Sequence, residues 1–208
     1  MNRIKVELLH YTPITILLKA LEQPYMNENV NITLAERVIT VLKHESVSEH
    51  VNMNFLISGV SRLELQEHMR HRLSSTTCRS TRFTLNKLIE SIDDIGENFV
   101  IPSYVESDWQ SKKDYDKFVG LLEDWYTKFI VISNHCREQL TAKNDYIKYL
   151  VPEGLRTQFV WSLNVRTLNN FLKLRLDKTA HFEIRYVAGL IRDSLKNTYI
   201  ERILNNVR

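Results

Sequence analysis

Two periodicities divide the chain. Ile4-Lys5-Val6-Glu7-Leu8-Leu9 predicts a short opening strand. Thr12-Pro13 then predicts a helix start, a hydroxyl placed to cap and a proline at the first helical position, followed by Ile16, Leu17, Ala20 and Leu21 at helical spacing. A second helix is predicted over 33–43, with Ala35, Val38, Ile39 and Leu42 on its apolar face. Val51, Met53, Phe55 and Ile57 alternate with Asn52, Asn54, Leu56 and Ser58, the period of a half-buried strand. Residues 61–71 read as helix, and the hydroxyl-rich run 74–81 as loop or strand edge. From Asp114 to about Leu140 the pattern predicts a long amphipathic helix with Phe118, Leu121, Leu122, Trp125, Phe129 and Val131 towards the core. Phe159, Trp161 and Leu163 mark a second alternating strand, which enters a helix over 166–175. A last helix is predicted from near Ala180 to Asn197. The aromatic set Tyr146, Tyr149, Phe159 and Trp161 reads as core.

Few strands among many helices predict one α+β domain over residues 1–208, helix-rich, with a small mostly antiparallel sheet. Five glycines and four prolines in 208 residues agree with much helix and few tight turns. No stretch reaches the roughly 18–20 apolar residues of a membrane span. The amino terminus lacks the apolar core of a secretory signal, so no membrane partner and a cytoplasmic location are expected. Cys78 and Cys136 make neither a disulfide framework nor a metal-ligand spacing.

Charge changes this picture. Residues 68–89 carry Arg70, Arg72, Arg79, Arg82 and Lys87 without an acid, and residues 155–176 carry Arg156, Arg166, Lys173 and Arg175, again without one. Removing these nine from the 28 Lys and Arg leaves 19 against 25 acidic residues elsewhere. A mildly acidic protein with two focused cationic segments suits a small polyanion; a nucleic-acid binder more often spreads its basic residues along a face.

The first segment contains Arg70-His71-Arg72-Leu73-Ser74-Ser75-Thr76-Thr77-Cys78-Arg79-Ser80-Thr81-Arg82, four arginines, one histidine and six hydroxyls. Guanidinium forks, hydroxyls and backbone N–H groups are what proteins use to hold phosphate. In the second, Asn164-Val165-Arg166 is followed by Asn170-Phe171 and Leu174-Arg175. On a helix Arg166 and Asn170 share a face, while Arg175 lies about 140° round from Asn170 and can serve a different part of a ligand.

The spacing Arg-His-Arg, seven residues, Ser, and the later Asn-x-Arg, three residues, Asn-Phe, then Leu-Arg, resemble the flavin-dependent thymidylate synthases. The landmark Ser48-Glu49-His50 before a strand agrees, and the resemblance runs from about residue 40 to 185. It implies a homotetramer with active sites between subunits that makes dTMP from dUMP. Methylenetetrahydrofolate is the implied one-carbon donor, FAD the carrier and NADPH the reductant. By position, the resemblance implies that His50, Asn52, Arg70, His71, Arg72, Cys78, Asn164, Val165, Arg166 and Asn170 serve FAD. It assigns dUMP to Glu67, His68, Met69, Arg70, Cys78, Arg79, Ser80, Thr81, Arg82, Lys148 and Arg175. Arg175 takes the part of the family arginine that stabilises negative charge on the uracil. Arginine, with a pKa above about 12, acts there electrostatically rather than as a base.

The chain departs from the family pattern at Glu67 (often Gln), Thr77 (Asn), Cys78 (Glu), Lys148 (Arg) and Thr179 (His). These departures keep open a flavin-dependent C5 modification of another pyrimidine nucleotide. Arginines interleaved with Trp161 and Phe171 motivate a different class, a nucleic-acid-binding module, which would bind no flavin and weaken steeply with salt. Cys78 beside Arg79 and Arg82 has the setting of a reactive thiol, but the flavin route needs no protein nucleophile. His68-x-x-His71 has a ligand-like spacing, but Arg70 and Arg72 would oppose a bound cation.

Overall fold

A computed structural model describes residues 3–88, 95–103, 108–139 and 144–204. The elements are β1 (Lys5–Tyr11), α1 (Ile14–Tyr25), α2 (Ile32–Glu36), β2 (Asn52–Ser61), α3 (Arg62–Met69), β3 (Ser75–Cys78), α4 (Thr81–Leu88), α5 (Ile95–Asn98) and α6 (Lys112–Gln139). They continue with α7 (Asn144–Ile147), β4 (Arg156–Asn164), α8 (Val165–Arg175), α9 (Phe182–Ser194) and α10 (Tyr199–Ile203). The strands form one sheet in the order β1-β2-β4-β3. β1 runs antiparallel to β2, from Lys5 opposite Ser58 to Tyr11 opposite Met53, with a register shift between Leu8 and His10. The helix-rich α+β class expected from the pattern is the one observed.

Residues group into two compact units. One comprises 4–58, 66–77 and 159–208, the other 1–3, 59–65 and 78–158.

In the first unit the period-2 reading holds. Met53, Phe55 and Ile57 of β2, and Phe159, Trp161 and Leu163 of β4, are all buried. α8 buries Leu168, Phe171 and Leu172, and α9 buries Ile184, Val187, Ala188 and Ile191. α9 packs along β1 and on α8. Thr12 does not cap α1, whose N-cap position is Pro13. Its hydroxyl instead exchanges hydrogen bonds with the backbone of Asn52, accepting from the N–H at 2.9 Å and donating to the C=O at 3.2 Å. The helix expected over 33–43 opens into a wide turn at Arg37–Val41, where the Leu42 N–H reaches Arg37 O at 3.0 Å. It closes on Lys43 at φ 59°, left-handed, with the His44 N–H on Val38 O. The next turn, Glu45–His50, is a 3₁₀ helix that leads into β2.

The second unit is centred on α6. Phe99 stacks on Tyr126 at 4.0 Å and 11°, with Leu85, Phe129, Ile130, Ile147 and Leu155 around them. The phase of α6 differs from expectation. Phe129 is buried as expected and Leu122 packs at the edge of the cluster, but Tyr126 and Ile130 complete the face, while Leu121 and Trp125 are exposed. A helix amphipathic over 28 residues with apolar residues on two sides offers two phases, and the stack on Phe99, about 27 residues away in sequence, selects one. Tyr146 and Tyr149 are likewise exposed, unlike Phe159 and Trp161. The run 74–81 contains β3 and the start of α4, so Thr81 is helical rather than loop.

Gly154 is a point of close approach. A Cβ there would lie 1.9 Å from the Tyr126 hydroxyl oxygen and 2.9 Å from its ring carbon. Tyr126 is held by Phe99 and by its bond to Val100 O. Gly154→Ala should therefore cost about 1–3 kcal/mol. Gly120→Ala, on α6 with nothing within 4 Å of its Cβ, should gain about 0.5–1 kcal/mol. Urea unfolding midpoints of the two variants check both signs.

Candidate active site

The start of α8 is fixed twice. The Asn164 side-chain oxygen accepts the Thr167 N–H at 2.9 Å, a capping bond. The Val165 N–H donates to Val51 O at 2.9 Å, tying the helix to the entry of β2, and the Val165 side chain is fully buried. With Leu168, Phe171 and Leu172 turned inward, Arg166 and Asn170 fall on the exposed side one turn apart. Arg166 pairs with Glu49 and, at 3.7 Å, with Glu45, both from the 3₁₀ turn before β2.

α3 delivers the other cationic segment. Arg70 follows its last residue, and the His71 N–H closes the chain on His68 O at 3.1 Å. Both histidines sit in an aromatic nest. The His68 ring is fully buried, its centroid 4.2 Å from Trp161, 4.9 Å from Phe159 and 5.0 Å from Phe171. His71 stands edge-on to Phe171 at 4.8 Å.

Arg175, the last residue of α8, reaches across to this turn. Its Nε donates to His71 Nε2 at 2.9 Å, one terminal nitrogen to Glu67 Oε2 at 3.0 Å, and the other to the Glu67 carbonyl at 3.1 Å. The second oxygen of Glu67 takes Arg70 at 3.1 Å. An imidazole that accepts from a guanidinium must be neutral, with its proton on Nδ1. Burial, then the Arg175 charge, then His68 push the His71 pKa down to about 4, against a smaller opposite pull from Glu67.

These elements enclose a cleft of ≈ 1630 Å³. Lys43, Arg70, Arg72, Arg166, Lys173 and Arg175 line it, against Glu45, Glu49 and Asp177. Six cations against three carboxylates leave a net positive wall, and two of the carboxylates are already paired with Arg166. The guanidinium of Arg72 makes no hydrogen bond or ion pair with the described residues.

The two segments separated by about ninety residues thus meet, and Arg70, His71, Arg72, Asn164, Arg166, Asn170 and Arg175 all line one cleft. Glu67 touches that wall through Arg175, while His68 lies beneath it and Met69 is exposed. His50 and Asn52 are exposed where the 3₁₀ turn passes into β2. The other expected residues belong to the α6-centred unit. There Cys78 and Ser80 are exposed, and Thr81 is nearly buried. Arg79 donates to the Gln158 side chain at 2.7 Å. Arg82 pairs with Asp145 of α7 at 3.3 Å, and Lys148 follows α7 on an exposed turn. Sequence reasoning missed Lys43, Glu45 and Glu49 as wall residues. The four-residue spacing of the two glutamates, one helical turn, was the available signal.

Comparison with known proteins places the chain in a family. Residues 7–199 match the family described as thymidylate synthase complementing protein. The flavin-dependent thymidylate synthase of Wolinella succinogenes is 34% identical over 168 residues, 78% of this chain and 75% of that protein. That of Helicobacter pylori is 31% identical over 195 residues, 89% of this chain and 90% of that one. A crystal structure of thymidylate synthase X from Helicobacter pylori, with FAD and dUMP, superposes with a TM-score of 0.78 at 29% identity, covering 98% of both chains. The chain belongs to the flavin-dependent thymidylate synthase family.

The His71 environment carries a pH signature. The unfolded chain takes up this proton at the ordinary histidine value of about 6.5, the folded chain only near 4. Between those values the unfolded state binds more protons, so this contribution to stability is complete above about pH 6.5 and is lost as pH falls towards 4. Thermal melts between pH 7.5 and 4.5 should fall more steeply for the wild type than for His71→Gln, which keeps an acceptor for Arg175 but does not titrate. Parallel curves would mean that His71 titrates normally.

Proposed function

We propose that this chain converts dUMP to dTMP by reductive methylation, with methylenetetrahydrofolate as one-carbon donor, FAD as carrier and NADPH as reductant. The observation that carries this reading is the convergence of residues 70–72 and 164–175 on one cationic cleft. The donor set suits FAD: a net positive wall and an uncommitted Arg72 match a pyrophosphate. When bound, FAD supplies the hydride and one-carbon carrier chemistry, so the protein needs no nucleophile of its own.

In this reading Arg70, His71, Arg72, Asn164, Arg166 and Asn170 hold the cofactor, with His50, Asn52, Val165 and Cys78 beside it. Val165 could contribute only through its backbone carbonyl, since its side chain is in the core and its N–H is on Val51. The segment opening α4 suits the dUMP phosphate. The Phe83 and Thr84 N–H groups there close on Ser80 O, so the donors it offers are the N–H groups of Thr81 and Arg82, the Ser80 and Thr81 hydroxyls and the Arg79 and Arg82 side chains. Lys148, Met69 and Arg70 complete the nucleotide set, while Glu67 reaches it only through Arg175 and His68 stays in the aromatic core below. Arg175 offers fixed donors to the uracil, where negative charge grows as C5 becomes nucleophilic. The subunit is read as one domain over 1–208, assembled as a cytoplasmic homotetramer with active sites between subunits. No described helix is long and apolar enough to cross a membrane.

The decisive measurement is the absorbance spectrum of purified protein with FAD, followed by NADPH with and without dUMP. Flavin should bind and bleach faster when dUMP is present. Arg175→Ala should keep flavin yet lose on the order of 10²–10³ in turnover, the usual cost of removing a fixed transition-state donor. No flavin binding would overturn the reading, and full turnover of the variant would overturn the role of Arg175.

A further inference from the structure

We infer that Glu67 is a positioning residue for the reaction, presenting Arg175 to the pyrimidine; this rests on the role proposed for Arg175 above. A guanidinium has five N–H groups. Three of Arg175's are committed, to His71 Nε2, Glu67 Oε2 and the Glu67 carbonyl. One N–H remains on each terminal nitrogen, available to acceptors on a planar ring. Glu67 supplies two of the three restraints, one from its side chain and one from its backbone. The plane of Arg175 is therefore set by a single residue at the end of α3, assisted by a neutral His71.

The same carboxylate has a second task. Its other oxygen takes Arg70 at 3.1 Å, so it stands between two guanidinium groups that would otherwise repel. Arg175 is 17% exposed against 71% for Arg70, so the clamp immobilises mainly Arg175. A donor held in place before substrate arrives needs no rearrangement as charge develops, and this is where fixed donors gain their effect.

Two substitutions separate reach and geometry from charge. Glu67→Gln keeps the length and one acceptor oxygen while removing the charge. Glu67→Asp keeps the charge and withdraws both oxygens by one methylene. In holoenzyme, Glu67→Asp and Glu67→Ala should lower kcat by about 10–100-fold, with much smaller changes in KM for dUMP and an unaltered flavin spectrum. Glu67→Gln should recover most of that loss. The reverse order, with Asp active and Gln slow, assigns the effect to charge and overturns the inference. A cycle adds a direct check. Arg175→Lys cannot present a fork, so combining it with Glu67→Asp should be no slower than the worse single variant. Losses that multiply would show Glu67 acting independently of Arg175 and overturn the inference. If Arg175→Ala is inactive but Glu67→Asp turns over like the wild type, Glu67 fails while Arg175 stands. If Arg175→Ala retains full turnover, the underlying role of Arg175 fails first.

Discussion

The packing of Phe171 against two histidine rings holds the cleft together. His68 and His71 come from the end of α3 and the turn after it, Phe171 from the middle of α8, and Phe159 and Trp161 from β4 supply the floor. Cationic segments repel one another and would not approach unaided. Burial of this aromatic set supplies the attraction, and the Glu67 carboxylate removes part of the repulsion. The arginines then occupy the rim of a core rather than the surface of a loop.

Asn164 shows how the local and global requirements are combined. Its side chain caps α8, the neighbouring N–H binds β2, and the inward face of the helix is filled by Leu168, Phe171 and Leu172. Once those constraints are met, the helical period alone decides that Arg166 and Asn170 face out together. The binding wall follows from how the helix is anchored.

Much of this was legible in the sequence. Alternation at Met53–Ile57 and Phe159–Leu163 marked the sheet, and Arg70, Arg72, Arg166, Lys173 and Arg175 of the acid-free segments marked the cleft, while Arg79, Arg82 and Arg156 belong to the other unit. What could not be read depends on partners distant in the chain. The phase of α6 was decided by Phe99, so Tyr126 rather than Trp125 turned inward. Thr12 found Asn52, forty residues away, in place of its own helix. Glu45 and Glu49 were visible as acids, but their pairing with Arg166 needs the fold. The departure at Glu67 lies at the contact with Arg175.

The cap on α8 also gives the cleft a hydrogen-bonding polarity. The Asn164 oxygen already accepts the Thr167 N–H, which turns the amide hydrogens of that side chain into its main offering to a ligand. Arg70, Arg72, Arg166 and Arg175 are donors by nature, and the acceptors nearest them, on Glu45, Glu49 and Glu67, are already taken by arginine. The wall therefore gives more than it receives, with Asp177 and the Asn170 amide oxygen among the acceptors along it. Molecules rich in oxygen acceptors, phosphates and the carbonyl edges of flat heterocycles, match it better than amines and other donor-rich solutes do.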